Sequence, residues 1–398
     1  MKSELPNLKR HFQYKKFKSP PYRFLFLKYD YFLQNQLLAE LRRQGHEALE
    51  LPLPKQLPAE EVLHRILVEA VKFRPDALLV LNNMGLDRRG VIIGVLSRLP
   101  LPVILWYLDN YRFTGPYFAD ETPELVVAFS SDKALLPILN QAGFPHTFYL
   151  PLATDISYSA VRYDDRFRFL REKVSYVGGT FTKMVRHFHT DEYEALYHEW
   201  QPDFSAAKEE QGHVDLDAVF APYRERFPSL EAFYNFIAYV VFRETRRYRV
   251  GRLTCLLDEP LVVFGIDDWK NYLPEEVVRS PVIYARETPN VYRNSAINLS
   301  LATFQQETAL NQRLFDVPLC NGFVLTDWQE SLADHFKLDE EVVYFRSDDE
   351  LKDKVRYFLK HPAARERVVQ KARERIWREH LMEHRVNTML ETVKKVWA

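Results

Sequence analysis

The chain has 398 residues, of which 46% are hydrophobic and 27% are charged, and its formal net charge is −1 at pH 7. This length allows two or three domains, and the balanced charge gives no global electrostatic argument for binding nucleic acid or an anionic membrane. The two cysteines, Cys255 and Cys320, exclude a disulfide framework and fit a reducing compartment. Because we find neither a secretory signal nor an apolar window of about 18 residues, we expect a cytoplasmic protein without a transmembrane segment.

Residues 1–21 are polar and basic and end in two prolines. We interpret them as an N-terminal arm that is either disordered or docked on the surface. Contact of this arm with an acidic partner or with a membrane surface is an open alternative.

Apolar strands alternate with amphipathic helices from residue 22 to about 155. The predicted strands are 23–27, 46–51, 77–81, 103–107, 125–129 and 147–150, and the predicted helices are 31–44, 58–73 and 90–98. This alternation predicts a doubly wound parallel sheet, in which function lies beyond the carboxyl ends of the strands. No Gly-x-Gly-x-x-Gly follows the first strand, which argues against a dinucleotide site there. Asp109, just after a strand, either caps the next segment or serves function.

A second domain opens with an apolar strand that leads into Gly178, Gly179 and Thr180. Paired glycines let a ligand approach the backbone, and the following N–H groups can hold a phosphate. The basic residues Lys183 and Arg186 follow at once. A plain turn is the alternative interpretation.

Residues 183–252 are predicted to be a helical elaboration of this second domain. The predicted helices are 191–200, 216–227 with a break at Pro222, and 229–249. The basic run 243–249 is interpreted as the exposed face of a buried helix, and contact of these arginines with phosphate is the alternative.

Residues 292–326 predict a strand, a polar loop, a short helix and a second strand. The strands are 296–301 and 323–326, and the helix carries Asn311, Arg313 and Asp316. Arg313 and Asp316 share one helix face, which suits a ligand with phosphates and hydroxyls, although a surface ion pair has the same spacing. Around this unit we predict strands at 261–264, 282–284 and 342–345, and helices at 288–294, 328–336, 348–359, 362–380 and 384–397.

The unit at 292–326 resembles the C-terminal domain of GT-B glycosyltransferases, in particular the CgeB-like branch of the glycosyl transferase group 1 family, which includes spore-maturation proteins. The resemblance rests on the run Arg313-Leu314-Phe315-Asp316 and on a strand that ends at Thr326. The family usually has Glu at the position of Asp316 and Gly at that of Asn321. Further similar segments are 106–109, 150–155, 174–180, 261–269 and 380–385.

This resemblance implies an α/β fold of GT-B architecture, with two Rossmann-like doubly wound domains that face each other across a cleft. Residues 22–155 would form the acceptor domain and residues 156–385 the nucleotide-sugar donor domain. The helix at 386–398 would cross to the first domain. The implied activity is glycosyl transfer from a nucleotide sugar, with retention of configuration and without a metal or another cofactor.

The resemblance also implies roles for individual residues. The amides of Gly178 and Gly179, with Lys183, Arg186 or Arg313, would neutralise the departing diphosphate, and Asp316 would accept hydrogen bonds from ribose hydroxyls. Glu307 or Thr308 would touch the sugar ring, and Asp109 would be the acceptor-side base or contact. Other implied donor-binding residues are Thr180, Tyr292, Asn298 and Asn311.

Two other functions are open alternatives. One is a nucleotide- or glycan-binding protein on a GT-B scaffold that has lost catalysis, and the other is an unrelated two-domain α/β enzyme such as an epimerase. The sugar, the nucleotide base and the acceptor are left open, and no nucleic-acid partner is expected.

Overall fold

The computed structural model describes residues 5–29, 31–54, 57–115 and 124–397. The chain folds into two compact units. The first comprises Met1–Pro151 and Met382–Ala398, and the second comprises Leu152–Leu381. The predicted domain boundary at about 155 lies close to this division.

The first unit is built on a six-stranded sheet in which every pair of neighbouring strands is parallel, with the order β2-β1-β3-β4-β5-β6. Its strands are β1 (Arg23–Lys28), β2 (Glu47–Pro52), β3 (Ala77–Leu81), β4 (Val103–Tyr107), β5 (Val126–Ser130) and β6 (His146–Tyr149). The helices in the first segment of this unit are α1 (Leu5–His11), α2 (Gln34–Arg43), α3 (Ala59–Phe73), α4 (Val91–Leu96), α5 (Tyr111–Thr114) and α6 (Leu136–Gln141). All six predicted strands are present. The continuous apolar runs of the central strands are what a sheet covered on both faces requires. Strands β3, β4 and β5 are buried along their whole length.

The described part of the N-terminal arm is docked on the first unit. Phe12 is fully buried in the hydrophobic core. Tyr14 Oη donates to Pro75 O at 2.7 Å, and Phe17 N donates to Asp76 Oδ1 at 2.7 Å. Residues 12–17 are therefore fixed by one buried ring and two hydrogen bonds to the segment before β3.

The second unit contains a second parallel six-stranded sheet, with the order β12-β11-β10-β7-β8-β9. Its strands are β7 (Val174–Val177), β8 (Leu261–Phe264), β9 (Val278–Arg279), β10 (Ile297–Ser300), β11 (Val324–Asp327) and β12 (Val343–Phe345). Its helices are α7 (Thr182–Phe188), α8 (Asp191–Trp200), α9 (Phe204–Gln211), α10 (Leu216–Phe220), α11 (Leu230–Thr254), α12 (Thr288–Asn294), α13 (Arg313–Leu319), α14 (Leu332–His335), α15 (Asp348–Lys360) and α16 (Pro362–Glu379). The strand order reverses between β7 and β10, so the crevice at their carboxyl ends is the place where such sheets bind ligands. Two parallel sheets with connecting helices confirm the predicted fold class.

One prediction in the second unit is wrong, and two helices were not predicted. The edge strand is β9, and residues 282–284, which were predicted as a strand, have no regular structure. Helices α7 and α9 were not predicted. The sequence of α9, Phe204–Gln211, has few apolar residues, so it carries a weak periodic signal.

The last helix, α17 (Met382–Trp397), belongs to the first unit. It lies against α2, and Gln44 Nε2 donates to Glu383 O at 3.5 Å. Arg385 Nε donates to Pro151 O at 2.8 Å, and the ring of Trp397 stacks on that of Phe17 with centroids 5.7 Å apart.

The helical elaboration of the second unit supports the loop that follows β10. Thr245 of α11 accepts a hydrogen bond from Phe304 N through Oγ1 at 3.0 Å. The rings of Phe204 and Phe304 meet edge-on, with centroids 5.4 Å apart. Helices α9 and α11 therefore fix the conformation of residues 301–312, which carry several predicted site residues.

Candidate functional site

A glycine loop follows β7 at the point where the strand order of the second sheet reverses. Gly178 N donates to Phe264 O at 3.1 Å, and Gly178 O accepts a hydrogen bond of 2.8 Å from Trp269 Nε1. Gly179 is exposed, and its N–H has no acceptor in the part of the chain that the structure describes. The loop is thus fixed on one side and open to a ligand on the other.

Residue 178 must be glycine because two side chains crowd its α-carbon. A Cβ atom there would lie 2.6 Å from Tyr176 Oη and 2.9 Å from Arg313 Nη2. Both distances are shorter than real Cβ atoms tolerate. The glycine therefore brings a phenol and a guanidinium against the backbone of the loop.

Arg313 begins α13 and extends to the end of β7. Its Nη2 donates to Val177 O, and its guanidinium lies 5.5 Å from the centre of the Tyr176 ring. Its Nη1 is buried and has no hydrogen-bond partner within the described residues. Arg313, predicted to act together with the glycine loop, therefore lies beside it.

Arg249 of α11 reaches the same place, and the sequence did not single it out among the arginines of the run 243–249. Only 3% of this residue is exposed. Its Nη1 donates to Gly179 O at 3.1 Å and its Nη2 donates to Leu301 O at 3.2 Å, so it bridges the loops that follow β7 and β10. The interpretation of the basic run 243–249 as an exposed face is wrong for Arg249, which faces the sheet. A signal in the sequence was its position eight residues after Val241, since residues at that spacing share a helix face.

Three unsatisfied polar atoms converge beside the glycine loop. They are Tyr176 Oη, Arg249 Nε and Arg313 Nη1, each buried and without a partner in the described chain. Neither arginine forms an ion pair among the described residues. Burial lowers the pKa of Arg249, and the charge of Arg313 lowers it further against the opposing effect of Tyr176. Asp327 raises the pKa of Arg249, and Arg313 lowers the pKa of Asp316, so acidic groups act on both arginines without forming an ion pair with them. Two neighbouring guanidiniums that form no ion pair are a candidate site for an anion.

Lys183 and Arg186 lie on α7, directly after the glycine loop. Both are exposed, and in the described ranges neither side chain forms an ion pair. Thr180 is buried, and its hydroxyl lies 3.0 Å from that of Thr182 and accepts from Thr182 N. Thr180 therefore shapes the turn, while the two cations extend the positive surface beyond it.

Asp316 is fully buried on the inner face of α13. Its carboxylate accepts hydrogen bonds from Tyr284 Oη at 3.1 Å and from Gln312 Nε2 at 2.9 Å. Burial raises the pKa of Asp316 to about 7, against the opposing effect of these hydrogen bonds. The predicted contact with a ribose stays a prediction, and it requires a ribose hydroxyl to reach a fully buried carboxylate.

The loop after β10 places three further predicted residues. Glu307 is buried and accepts a hydrogen bond of 2.9 Å from Leu216 N, at the beginning of α10. Thr308 beside it is half-buried. Asn311 accepts from Arg313 N at 3.2 Å and donates to Leu301 O at 3.4 Å, so it helps to hold the beginning of α13 beside the glycine loop.

Tyr292 and Asn298 are buried in the second sheet and its preceding helix. Asn298 Nδ2 donates to Tyr292 O at 2.9 Å and to Phe323 O at 3.1 Å, while its Oδ1 accepts from Ser175 Oγ at 3.1 Å. These bonds occupy both amide hydrogens of Asn298 and connect β7 with β10. Asn298 therefore has no free N–H group for its predicted contact with the nucleotide sugar.

Asp109 lies in the first unit, beyond the carboxyl end of β4. It accepts hydrogen bonds from Tyr31 Oη and, at 3.0 Å, from Asn82 Nδ2. The residue that caps α5 through its side chain is Asn110, which accepts from Arg112 N at 3.0 Å. Asp109 thus lies in a polar cluster near the reversal point of the first sheet, and its catalytic role stays a prediction. Asp30, which follows β1 in the same region, lies outside the described residues.

No group of three or more His, Cys, Asp and Glu side chains in the described ranges could hold a metal ion. No described helix is long and apolar enough to cross a membrane.

Comparisons with solved structures agree with the two parallel sheets. A glycosyltransferase from Rickettsia africae is 9% identical over 95% of this chain and 99% of its own, with a TM-score of 0.54. Sucrose-phosphate synthase from Thermosynechococcus elongatus is 10% identical over 94% and 99%, with a TM-score of 0.55. HepE from Anabaena, in complex with UDP-glucose, gives the same identity and coverage, with a TM-score of 0.54. The fold is that of GT-B glycosyltransferases.

A sequence model of a family described as "Glycosyl transferase-like" matches residues 244–391. This range begins within α11 and includes Arg249, the loop after β10 and α13. A comparison with curated protein sequences gives no match. The matched range therefore covers much of the second unit and includes both arginines, while the glycine loop lies before it.

Proposed function

We propose that the protein is a glycosyltransferase that binds the diphosphate of a nucleotide sugar at the glycine loop of its second unit. The observation that carries this proposal is the convergence of Tyr176, Arg249 and Arg313 on Gly178 and Gly179. A diphosphate would supply acceptors for the buried Arg249 Nε and Arg313 Nη1 atoms and for the open N–H of Gly179.

The reaction that fits this site is transfer of a glycosyl group. The acceptor oxygen forms a bond to the anomeric carbon, the bond from that carbon to the diphosphate oxygen breaks, and the diphosphate leaves with the electron pair. Two fixed guanidiniums stabilise the negative charge that develops on this leaving group. The proton of the acceptor hydroxyl must go to a base, for which Asp109 remains our candidate.

The finer features of the reaction are part of the same proposal. We infer a UDP-sugar donor, because HepE is described in complexes with UDP and with UDP-glucose and an alpha-glucosyltransferase of similar fold is described with UDP. Retention of configuration, independence of metals, transfer of a hexose and membership of the CgeB-like branch are proposed from the sequence resemblance. A cleft between the two domains, with the acceptor held by the first, stays a prediction.

Binding of UDP and UDP-glucose in the presence of EDTA, measured by calorimetry, tests the proposal. Arg313→Ala is expected to weaken UDP binding by about 100-fold, because a charge-assisted hydrogen bond contributes about 1.5–3 kcal/mol. Arg247→Ala is the matched control, since Arg247 lies on α11 close to Arg249 but is exposed to solvent. Equal affinity in Arg313→Ala and the wild-type protein would show that the diphosphate site is elsewhere.

A second candidate function is nucleotide-sugar binding without transfer. The observation that favours it is the complete burial of Asp316, whose two carboxylate oxygens already accept hydrogen bonds from Tyr284 and Gln312. Donor hydrolysis and transfer assays with the wild-type protein separate the two functions. Binding of UDP-glucose with neither hydrolysis nor transfer, over a panel of sugar, lipid and peptide acceptors, would favour the binding protein.

A further inference from the structure

The first unit has a basic, aromatic cavity at the end of its sheet opposite to Asp109. The cavity has a volume of about 600 Å³. It adjoins Pro102 and Leu125, which precede β4 and β5, and is thus at the amino-terminal end of those strands. Residues 12–18 of the N-terminal arm and the last turn of α17 form its other walls.

The cationic side of the cavity consists of Lys15, Lys18 and Lys394. All three are exposed, and none forms an ion pair in the portion of the chain that is described. Lys16 also lines the cavity, but its Nζ donates to Phe12 O at 2.6 Å and to Tyr14 O at 3.1 Å. Lys16 therefore fixes the arm, and the other three ammonium groups are open to an anion.

The neutral side of the cavity is aromatic. Phe17 and Trp397 stack on each other and are half-buried, so part of each ring faces solvent. Trp397 Nε1 is buried and has no hydrogen-bond acceptor within residues 5–29, 31–54, 57–115 and 124–397. The nearby Asp76 accepts from Phe17 N and Arg23 N, and it forms no ion pair with a lysine of the rim among the described residues.

We propose that this cavity binds a phosphate ester that carries an apolar or aromatic group. Lys15, Lys18 and Lys394 would contact the phosphate, and the rings of Phe17 and Trp397 would contact the organic group. Either a lipid headgroup at a membrane surface or a soluble phosphate ester presents this chemistry. The site is separate from the glycine loop, so it is independent of the proposed glycosyl transfer.

The experiment uses the full-length protein and two probes. Calorimetry measures binding of phenyl phosphate, and flotation measures binding to phosphatidylglycerol vesicles against phosphatidylcholine vesicles. The triple variant Lys15→Ala, Lys18→Ala, Lys394→Ala is expected to bind at least about tenfold more weakly to the probe that the wild-type protein recognises. The control Lys72→Ala, Lys360→Ala, Lys371→Ala removes three exposed lysines elsewhere and is expected to bind within about twofold of the wild-type protein.

Each outcome bears on the proposal. Binding to vesicles alone identifies a lipid headgroup as the source, and binding to phenyl phosphate identifies a soluble ester. Trp397→Ala is expected to remove the preference for phenyl phosphate over inorganic phosphate, or to weaken vesicle binding about fivefold. The proposal is overturned if the wild-type protein binds neither probe, or if the control triple variant loses as much binding as the cavity variant.

Discussion

Arg249 and Arg252 are two buried arginines on the same helix, and they differ in their partners. Arg252 donates to Asp348 and to Glu209, and it is held by two carboxylates. Burial lowers its pKa, but Tyr248 and the two carboxylates outweigh burial and raise it overall. Arg249, three residues earlier, donates only to the carbonyl oxygens of Gly179 and Leu301, and its pKa is lowered by burial.

This difference indicates that Arg252 stabilises the fold, whereas Arg249 is available to bind a ligand. The ion pairs of Arg252 connect α11 with α9 and α15, so they contribute to the fold. An uncompensated buried charge is costly, and a protein retains one mainly where a partner of opposite charge arrives from outside. The position of Arg249 beside Arg313 and the glycine loop fits a bound anion.

Replacing each arginine by an apolar residue tests this comparison most strongly. Arg249→Met is expected to weaken UDP binding about 100-fold and to change the free energy of unfolding by less than about 1 kcal/mol. Arg252→Leu is expected to lower the free energy of unfolding by about 2 kcal/mol, because it leaves two carboxylates without a partner. These carboxylates are 40% and 48% exposed, so water replaces part of the lost interaction.

Calorimetry with UDP and urea unfolding measure both quantities for both variants. Arg252→Leu should bind UDP within about twofold of the wild-type protein once its folded fraction is taken into account. The comparison fails if Arg249→Met binds UDP as tightly as the wild-type protein, or if the two variants lose affinity equally.

Asp316 extends the comparison to a buried acid without an ion pair. Its folded pKa of about 7 lies above the ordinary value of 3.8, so the folded state binds more protons than the unfolded state between these values. The contribution of Asp316 to stability is therefore present at low pH and is lost as pH rises toward 7. Asp316→Asn removes this titration and can still accept hydrogen bonds from Tyr284 and Gln312.

Urea unfolding at pH 5 and pH 7 measures this effect. Relative to the wild-type protein, Asp316→Asn is expected to gain about 2 kcal/mol in the free energy of unfolding between these pH values. Asp334→Asn serves as a control on an exposed acid of the same unit. A difference that does not change with pH would show that the carboxylate of Asp316 is solvated in the folded protein.

The sequence was sufficient for the elements that continuous apolar runs define. Strands such as β3, β4 and β5 are such runs. The paired glycines after β7 were a weak signal by themselves, and the family resemblance gave them their weight. Arg313 was predicted from a family-like run on a short helix. In contrast, a strand of two residues such as β9 has too few positions to show a period, and residues 282–284 were chosen in its place.

The sequence could not show that Arg249, among the arginines of the run 243–249, is the one at the site, and the reason is physical. A basic run on a long helix normally faces water, and only the packing of α11 against the sheet decides which arginines are buried. The burial of Asp316 has the same origin, because Tyr284 and Gln312 reach it from separate segments. The burial of these charged side chains depends on contacts between segments distant in sequence, so sequence patterns could not predict it.

Trp269 gives the smallest expected effect and tests whether the position of the loop matters as much as its charge. Its indole is fully buried, its Nε1 donates to Gly178 O at 2.8 Å, and its ring meets that of Tyr176 edge-on. Trp269→Phe keeps an aromatic ring but removes the donor. We expect UDP binding to weaken about fivefold and the free energy of unfolding to fall by about 1 kcal/mol, the usual contribution of one hydrogen bond.

The exposed Trp377 on α16 offers a matched control, and Trp377→Phe should leave both quantities unchanged. We propose that Trp269 acts through the loop and not on the ligand. A variant that restores an N–H donor should therefore recover UDP binding, and we expect Trp269→His to bind UDP more tightly than Trp269→Leu. If Trp269→Phe loses stability while UDP binding stays at the wild-type level, the hydrogen bond to Gly178 supports only the fold. In that case the two arginines, Arg249 and Arg313, would be sufficient to position the anion without the hydrogen bond that holds the loop.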